Sequence, residues 1–394
     1  MTKTAGYDIV RYRPDLEEQI LGLLVHTCGP DRNLNAAYLQ WKYRTNPYLA
    51  EDPPPIFVAL QDGRAIGMRG LHGSSWNVGA EQESIVLPCF GDSYIDPEHR
   101  SFRLFRDLTR AAFSHLREQG FLYALNISAR PGTFMASRLM GWKALPSYGS
   151  WRWDSPRRAS LRSAFRLAKR LPLLAGVAEG LRQRSGESRL ATAADNNPFR
   201  TLDRRAAEGN LDRPGRSGGH ISLADEPQPK AMAALLARLG RERAICQRRD
   251  SDYFTWRMAK PLSAYRFLFW HGAELEGFLI LQTARYADFL EHRILDLRGS
   301  SQAVKRDLLY AVRDRGGLDD LVVWTSSLPE EDRALFRSAG FRPMDESSGV
   351  KGFRRTLLVR SVDDRAPAED WALGALSLLD LANWDIRMLD SDAY

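Results

Sequence analysis

The feature that most constrains this chain is a motif written twice. YLQWKY occupies residues 38–43 and YFTWRM residues 253–258. In both, a tyrosine stands three residues before a tryptophan, and a basic residue follows the tryptophan at once. Both read as short helices that stop ahead of a proline, Pro47 in one case and Pro261 in the other, because proline cannot continue a helix. Other landmarks keep nearly the same separation. Trp256 follows Trp41 by 215 residues, Gly277 follows Gly67 by 210, Gly272 follows Gly63 by 209 and Gly340 follows Gly141 by 199. Loop insertions and deletions leave such a drifting offset when one unit is copied, so two versions of one α/β unit are expected. The length of 394 residues agrees, since one core rarely serves so long a chain.

The first copy reads as a strand at 7–13, a helix at 16–28, the YLQWKY helix, and a hairpin over 56–71 turning at Asp62-Gly63, a pair suited to positive φ. A strand at 84–95, an amphipathic helix at 101–120 with Leu104, Leu108, Ala112 and Leu116 on one face, a buried strand at 121–128 and a short helix ending at Gly141-Trp142 complete it. The second copy repeats the order: strand 220–225, helix 230–240, the YFTWRM helix, hairpin 264–284, strand 293–299, helix 301–317, strand 318–327 and helix 330–341. The domains are expected at 1–154 and 219–362, with an inter-domain segment at 155–218 and a tail at 363–394.

Charge is unevenly spread. The formal net charge is +7, and residues 157–189 alone hold nine basic and two acidic side chains. That segment carries the whole surplus. Leu161, Phe165 and Ala168 share a helical face there, which suits an anionic membrane surface, a salt-dependent contact with tRNA, or a solvated inter-domain helix. Few aromatics accompany the arginines, so base stacking is not indicated, and nothing asks for DNA. The three cysteines are far apart and the histidines form no ligand pair, so neither a disulfide framework nor a metal site is expected. Without an apolar leader or a run of roughly 18 apolar residues, the expectation is a cytoplasmic protein.

The unit order, together with YLQWKYRTNP, YIDPEHRSFRLFRDL (94–108) and the strand–helix ending in MGW, resembles the GNAT (GCN5-related N-acetyltransferase-like) acyltransferase fold, and within it tandem GNAT-like bacterial proteins tied to polysaccharide and other surface polymers. Fem-type peptidyl transferases share the two-unit architecture. The resemblance implies an α/β fold of two mixed, largely antiparallel sheets flanked by helices and joined by the basic linker. It implies acyl-CoA as co-substrate, held where the fourth strand splays from the fifth and by backbone N–H groups at the start of the long helix. Tyr94, Ile95, Arg100, Ser101, Phe102, Arg103 and Leu104 are then the cofactor-binding positions. Arg100 fits the family's phosphate-turn pattern; Arg103 and Phe105 stand where glycines are usual. The catalytic candidates are Asp92 as an acceptor-site base, Asn126 at a strand end, and Ser137, which stands where the family often has a tyrosine acid.

Tyr38, Trp41 and Trp256 either line an acceptor pocket or fill the junction of helix and sheet. Cys89 sits among Leu87, Pro88 and Phe90 and is expected to be inert. The Gly91-Asp92-Ser93 run lies well inside the chain, and the Asp-x-x-His that follows it, Asp96–His99, comes at once rather than far downstream, so a hydrolase of the GDSL type is not indicated. The reading is an acyltransferase that moves an acyl group from a thioester donor to an amine or hydroxyl of a small or carrier-borne acceptor, with the second unit structural or shaping the acceptor site. The alternatives are a Fem-like transferase using aminoacyl-tRNA and a non-catalytic GNAT-fold binding or scaffold protein.

Overall fold

A computed structural model of the chain describes residues 6–79, 83–160, 197–211, 219–285, 290–344 and 355–392. The basic stretch from residue 161 to 189 lies outside them. The first unit contains β1 (Asp8–Arg11), α1 (Glu17–Cys28), α2 (Arg32–Leu39), β2 (Ile56–Gln61), β3 (Arg64–Val78), β4 (Glu83–Ile95), α3 (Phe102–Glu118), β5 (Tyr123–Asn126), α4 (Pro131–Leu139), β6 (Lys143–Ala144) and β7 (Ser150–Asp154). There follow α5 (Arg200–Ala207), β8 (His220–Ala224), α6 (Pro229–Leu239), β9 (Ile245–Gln247), α7 (Ser251–Met258), β10 (Tyr265–His271), β11 (Leu275–Arg285), β12 (Leu290–Gly299), α8 (Gln302–Tyr310), β13 (Asp320–Trp324), α9 (Glu330–Ser338) and β14 (Arg342–Pro343). The last part holds β15 (Leu358–Ser361) and the short strands β16 (Ala372–Leu373), β17 (Leu376–Ser377) and β18 (Trp384–Asp385).

Local chemistry accounts for most of these elements. The β2–β3 hairpin turns through Asp62 at φ 50° and Gly63 at φ 78°, the paired positive dihedrals of a two-residue turn that matches strand twist. Helix α3 is capped by the Ser101 hydroxyl, which accepts from the Leu104 N–H. Its Leu104, Leu108, Ala112 and Leu116 are buried in one cluster with Phe57, Leu71 and Phe90 of the sheet, the periodic apolar stripe doing what its spacing predicts.

One sheet runs β1-β2-β3-β4-β5-β15-β6, and the other β14-β7-β13-β12-β11-β10-β8. Each contains strands from the other half of the chain: β15, together with β9 against β3 and β18 against β9, joins the first, and β7 joins the second. β15 pairs antiparallel with β5, from Leu358 opposite Asn126 to Ser361 opposite Tyr123. β7 pairs antiparallel with β13, from Asp320 opposite Asp154 to Trp324 opposite Ser150. The exchange of β15 and β7 is reciprocal, with each of the two between the fifth strand and the short edge strand of its host. Chain order therefore puts 150–154 with the first unit and 358–361 with the second, whereas hydrogen bonding does the opposite.

The repeated motifs meet at the centre. The Trp41 and Trp256 rings stack 5.0 Å apart at an interplanar angle of 8°. Each indole N–H donates to the backbone carbonyl of the other residue, at 2.7 and 2.8 Å. The two copies of the motif thus pack directly against each other through this pair.

Candidate functional site

The site begins where β4 leaves β5. These strands are parallel neighbours with Cys89 opposite Leu125. Past that point β4 bulges: Gly70 of β3 is opposite Gly91, but Met68 is opposite Tyr94. Asp92 and Ser93 are thus both set against Arg69, and Asp92 takes a positive φ of 42°. An extra residue of this kind re-aims side chains and frees backbone groups from the ladder. A cavity of about 580 Å³ opens at the splay. Tyr38, Asp92, Asn126 and Ser128 border it from the first unit, Lys260 and Gln282 from the second, and Asp392 from the tail.

Asp92 and Asp392 are held by one cation. After α2 the helix widens into a single π turn, closed by the Thr45 N–H donating to the Gln40 carbonyl. A regular α-helix spreads consecutive residues by about 100° each; the wider turn lets Trp41, Lys42 and Tyr43 all be buried. The Lys42 ammonium, with no exposure at all, sits 2.9 Å from Asp92 Oδ2 and 2.5 Å from Asp392 Oδ2 and donates to the Tyr38 hydroxyl at 3.0 Å. The Tyr38 and Tyr43 hydroxyls donate to Asp92 at 3.0 and 2.6 Å. Glycine is required opposite this group, because a Cβ on Gly91 would lie 2.7 Å from Lys42 Nζ, and one on Gly70 1.9 Å from the Tyr43 hydroxyl.

The electrostatics follow from burial and pairing. Burial opposes the Lys42 ammonium, but Asp392 and Asp92 outweigh it and hold its pKa well above the usual lysine value. Burial likewise opposes the Asp392 carboxylate, yet Lys42 and a hydrogen bond from Ser128 pull its pKa far below the carboxylate range. Burial, then the Asp92 charge, pushes Tyr38 and Tyr43 well up, so both are neutral donors. Lys260 goes the other way: burial, then the neighbouring Arg257, lowers it to about 7. Its ammonium donates to the Asp392 carbonyl at 2.7 Å. Its place on the cavity wall and its lowered pKa make it a candidate for proton transfer.

The second unit has the same splay, and the chain's own tail occupies it. β12 and β13 are parallel with Arg293 opposite Val322. Beyond that pair Arg387 and Met388 line, with Asp296, Leu297 and Trp324, a void of only about 10 Å³. Ile386 is tied to Ser327 beyond β13, its N–H donating to the hydroxyl at 3.1 Å and its carbonyl accepting from it at 2.5 Å. Arg249 grips Asp390 through Nη2 at 2.7 Å from both carboxylate oxygens, and Arg298 holds Asp385 at 2.7 Å. Arg257, the basic residue of the second motif, donates to the carbonyls of Leu389 and Ser391 at 3.0 and 2.9 Å. The basic residue of each Trp motif therefore holds the C-terminal segment, and that segment delivers Asp392 to the first splay while closing the second.

Of the residues singled out from sequence, Tyr38, Asp92 and Asn126 meet on the cavity wall. Asn126 is 3 % exposed, and its side-chain oxygen accepts from the Ser128 N–H at 3.1 Å. Ser137 is not on that wall; it is fully buried on α4 and its hydroxyl has no partner among the described residues. Trp41 and Trp256 also stay off the wall, each covering a face of the other, which corrects the acceptor-pocket reading in favour of the packing one. Tyr94 stacks on His26 at 4.7 Å. Tyr94, Ile95, Arg100, Ser101, Phe102, Arg103 and Leu104 lie together from the end of β4 into α3 but do not border the cavity. At that turn the Leu104 N–H is taken by the Ser101 hydroxyl and the Phe105 N–H by the Ser101 carbonyl. Arg103 is turned along the helix, 3.8 Å from Asp107 and over the Tyr7 ring. Cys89 is buried, and burial pushes its thiol up to about 12.

Lys42, Tyr43, Lys260 and Asp392 were not singled out from sequence. Lys42 had a readable signal, a charged residue four positions after Tyr38 on the apolar side of a short helix. Asp392 had none, being 350 residues from its partner.

No family model and no curated protein sequence matches the chain. Among solved structures it is similar to a GCN5-related N-acetyltransferase from Anabaena variabilis ATCC 29413, at 10% identity and a TM-score of 0.57 over 91% of this chain and 73% of that one. It is similar also to a conserved protein of Enterococcus faecalis V583 described as a probable N-acyltransferase, at 9% identity and a TM-score of 0.55 over 91% and 72%. A tandem GNAT protein from the clavulanic acid biosynthesis pathway matches at 12% identity with a TM-score of 0.50 over 92% of this chain and 99% of that one. The fold is thus a tandem GNAT fold, with mixed sheets flanked by helices. No helix among the described residues is long and apolar enough to cross a membrane.

Proposed function

We propose that this protein is a cytoplasmic acyltransferase that moves an acyl group from a thioester donor, acyl-CoA in the first instance, to an amine or hydroxyl of a small or carrier-borne acceptor, including precursors of surface polymers. One observation carries the reading. The splay of the first unit holds a cavity of about 580 Å³ lined with acid–base groups, whereas the matching splay of the second unit is filled by the chain itself. GNAT-fold acyltransferases use this gap for the thioester.

The acceptor enters between the units, past Tyr38 and Lys260. Lys260 in its neutral form takes the acceptor's proton, the nitrogen or oxygen attacks the thioester carbonyl, and backbone N–H groups at the Asp92–Ser93 bulge stabilise the oxyanion. When the C–S bond breaks, the same lysine returns a proton to the thiolate. Lys42 fixes Asp92 and Asp392, so the wall is set before substrate arrives.

A second reading rests on the start of α3. Two of its N–H groups are satisfied internally, and Arg103 turns away along the helix. That favours a donor other than CoA, such as an aminoacyl-tRNA, or a binding role without catalysis. Calorimetric titration with acetyl-CoA and longer acyl-CoAs, on wild type and Arg103→Gly, separates these. Single-site binding in the wild type at micromolar concentration supports the acyl-CoA donor. Failure of both proteins to bind rejects it, and tRNA binding that weakens steeply with salt then selects the aminoacyl donor.

A further inference from the structure

Arg69 on β3 is 1 % exposed, and none of its three guanidinium nitrogens has a hydrogen-bond partner among the described residues. Its guanidinium carbon lies 4.7 Å from the ring centroid of Phe90 and 4.7 Å from that of Phe105, and Arg69 is one of the residues that border the cavity, its three nitrogens covered. Other buried arginines of this molecule have oxygen partners: Arg249 has Asp390, Arg298 and Arg387 have Asp385, and Arg257 has the Leu389 and Ser391 carbonyls. The carboxylates nearest the cavity are committed elsewhere, Asp92 to Lys42 and the two tyrosines, Asp392 to Lys42 and Ser128.

An unpaired buried cation is strongly unfavourable. Aromatic rings attract a guanidinium through their faces but supply no oxygen to accept its N–H groups. Nor does the group escape by losing its proton, since burial lowers Arg69 only to about 9. What relieves it is an acceptor that arrives in the cavity. A planar fork of N–H donors matches the oxygens of a carboxylate or a phosphate.

We propose that Arg69 anchors an anionic group, a carboxylate or a phosphate ester, on the molecule that occupies the cavity. Naming that molecule a substrate rests on the acyl-transfer reading; the anion site itself does not. In that reading the anion is placed beside the bulge of β4, so the acyl group or the acceptor carries the acid.

The test is thermal unfolding of the full chain in sodium succinate and in sodium phosphate, each against sodium chloride at equal ionic strength, for wild type, Arg69→Met and Arg69→Lys. Wild type is expected to gain stability with at least one of the two anions; succinate marks a carboxylate site and phosphate a phosphate site. Arg69→Met is expected to match or exceed wild type in chloride, because a buried cation has been replaced by an apolar chain of similar reach, and to lose the response. Arg69→Lys keeps the charge without the fork and is expected to bind at least about tenfold more weakly. Absence of any response in wild type beyond the chloride control overturns the proposal. So does an equal response in Arg69→Met or, should that variant not fold, in Arg69→Lys. Calorimetry with acetyl-CoA and succinyl-CoA on the same proteins separates the two readings. An anion response without acyl-CoA binding refutes the donor and leaves the anion site standing; acyl-CoA binding without an anion response does the reverse.

Discussion

Replacing Lys42 by methionine removes the cation that holds two buried carboxylates together. Its ammonium lies 2.5 Å from Asp392 and 2.9 Å from Asp92 with no exposure. At an effective permittivity of about 20, each contact amounts to roughly 6 kcal/mol of attraction. The cost of drying three charges offsets most of that sum, and removing one partner from a buried set leaves a net loss of about 3–5 kcal/mol. In the variant the Tyr38 and Tyr43 hydroxyls still serve Asp92, but Asp392 loses its nearest cation and keeps the Ser128 hydrogen bond and the weaker pull of His72, Arg257 and Lys260. The loss must depend on pH. In the wild type the folded pKa of Asp392 is depressed, because Lys42 outweighs burial. Its contribution is therefore complete above the unfolded carboxylate value of about 4 and fades as pH falls through the folded one. Without Lys42 burial prevails, the folded pKa rises above that of the unfolded chain, and stability returns as pH falls. Urea unfolding followed by tryptophan fluorescence should show a gap of about 3–5 kcal/mol between wild type and Lys42→Met at about pH 7.5, narrowing by about pH 5. A gap below about 1 kcal/mol at the higher pH, or one that does not change with pH, refutes the reasoning.

Three further outcomes are expected. Trp256→Ala should lose about 3–5 kcal/mol, and adding Trp41→Ala should cost less than a second independent loss, since the rings and their indole bonds serve each other; a double-mutant cycle in urea reads this. Wild type should gain stability relative to Lys260→Met as pH rises from about 7 to about 9.5, on the order of 2–3 kcal/mol, because over that window the unfolded lysine holds a proton that the folded one has released; parallel curves would show that Lys260 does not titrate there. Gly91→Ala should push Lys42 off Asp392, since its new methyl lies 2.7 Å from Lys42 Nζ and 3.2 Å from Asp392 Oδ2, with a loss of about 1–3 kcal/mol in thermal unfolding.

What sequence could show divides by range. The β2–β3 turn, the stripe on α3 and the doubling of the Trp motif are written in local spacing, and the structure has them where the pattern puts them. Tyr38 and Asn126 reach the cavity because they sit at a helix end and a strand end that local spacing sets, and Asp92 because β4 bulges there. Trp41 lies against Trp256 rather than on the cavity wall, and sequence could not separate the two placements because a flat apolar ring looks the same whether it awaits a ligand or its own twin. Ser137 was placed by family position, and its helical face turns inward. β7 and β15 are strand-like in either sheet; only pairing across the chain decides which one receives them. The tail has the least local signal, because its turns are ordered by Arg249, Arg257 and Lys42 rather than by their own periodicity.

The crossed strands also impose an order on synthesis. When the first 160 residues have left the ribosome, the sheet they form lacks β15, and Ser150–Asp154 has no β13 to pair with. An open edge beside β5 must wait for roughly 200 more residues, some 10–40 s at ordinary elongation rates. During that wait the future cavity wall at Asn126 is bare, since Leu358 is the residue that pairs with it. The site therefore cannot form on a nascent half-chain. Its assembly waits until Asp392 has been made and can meet Lys42.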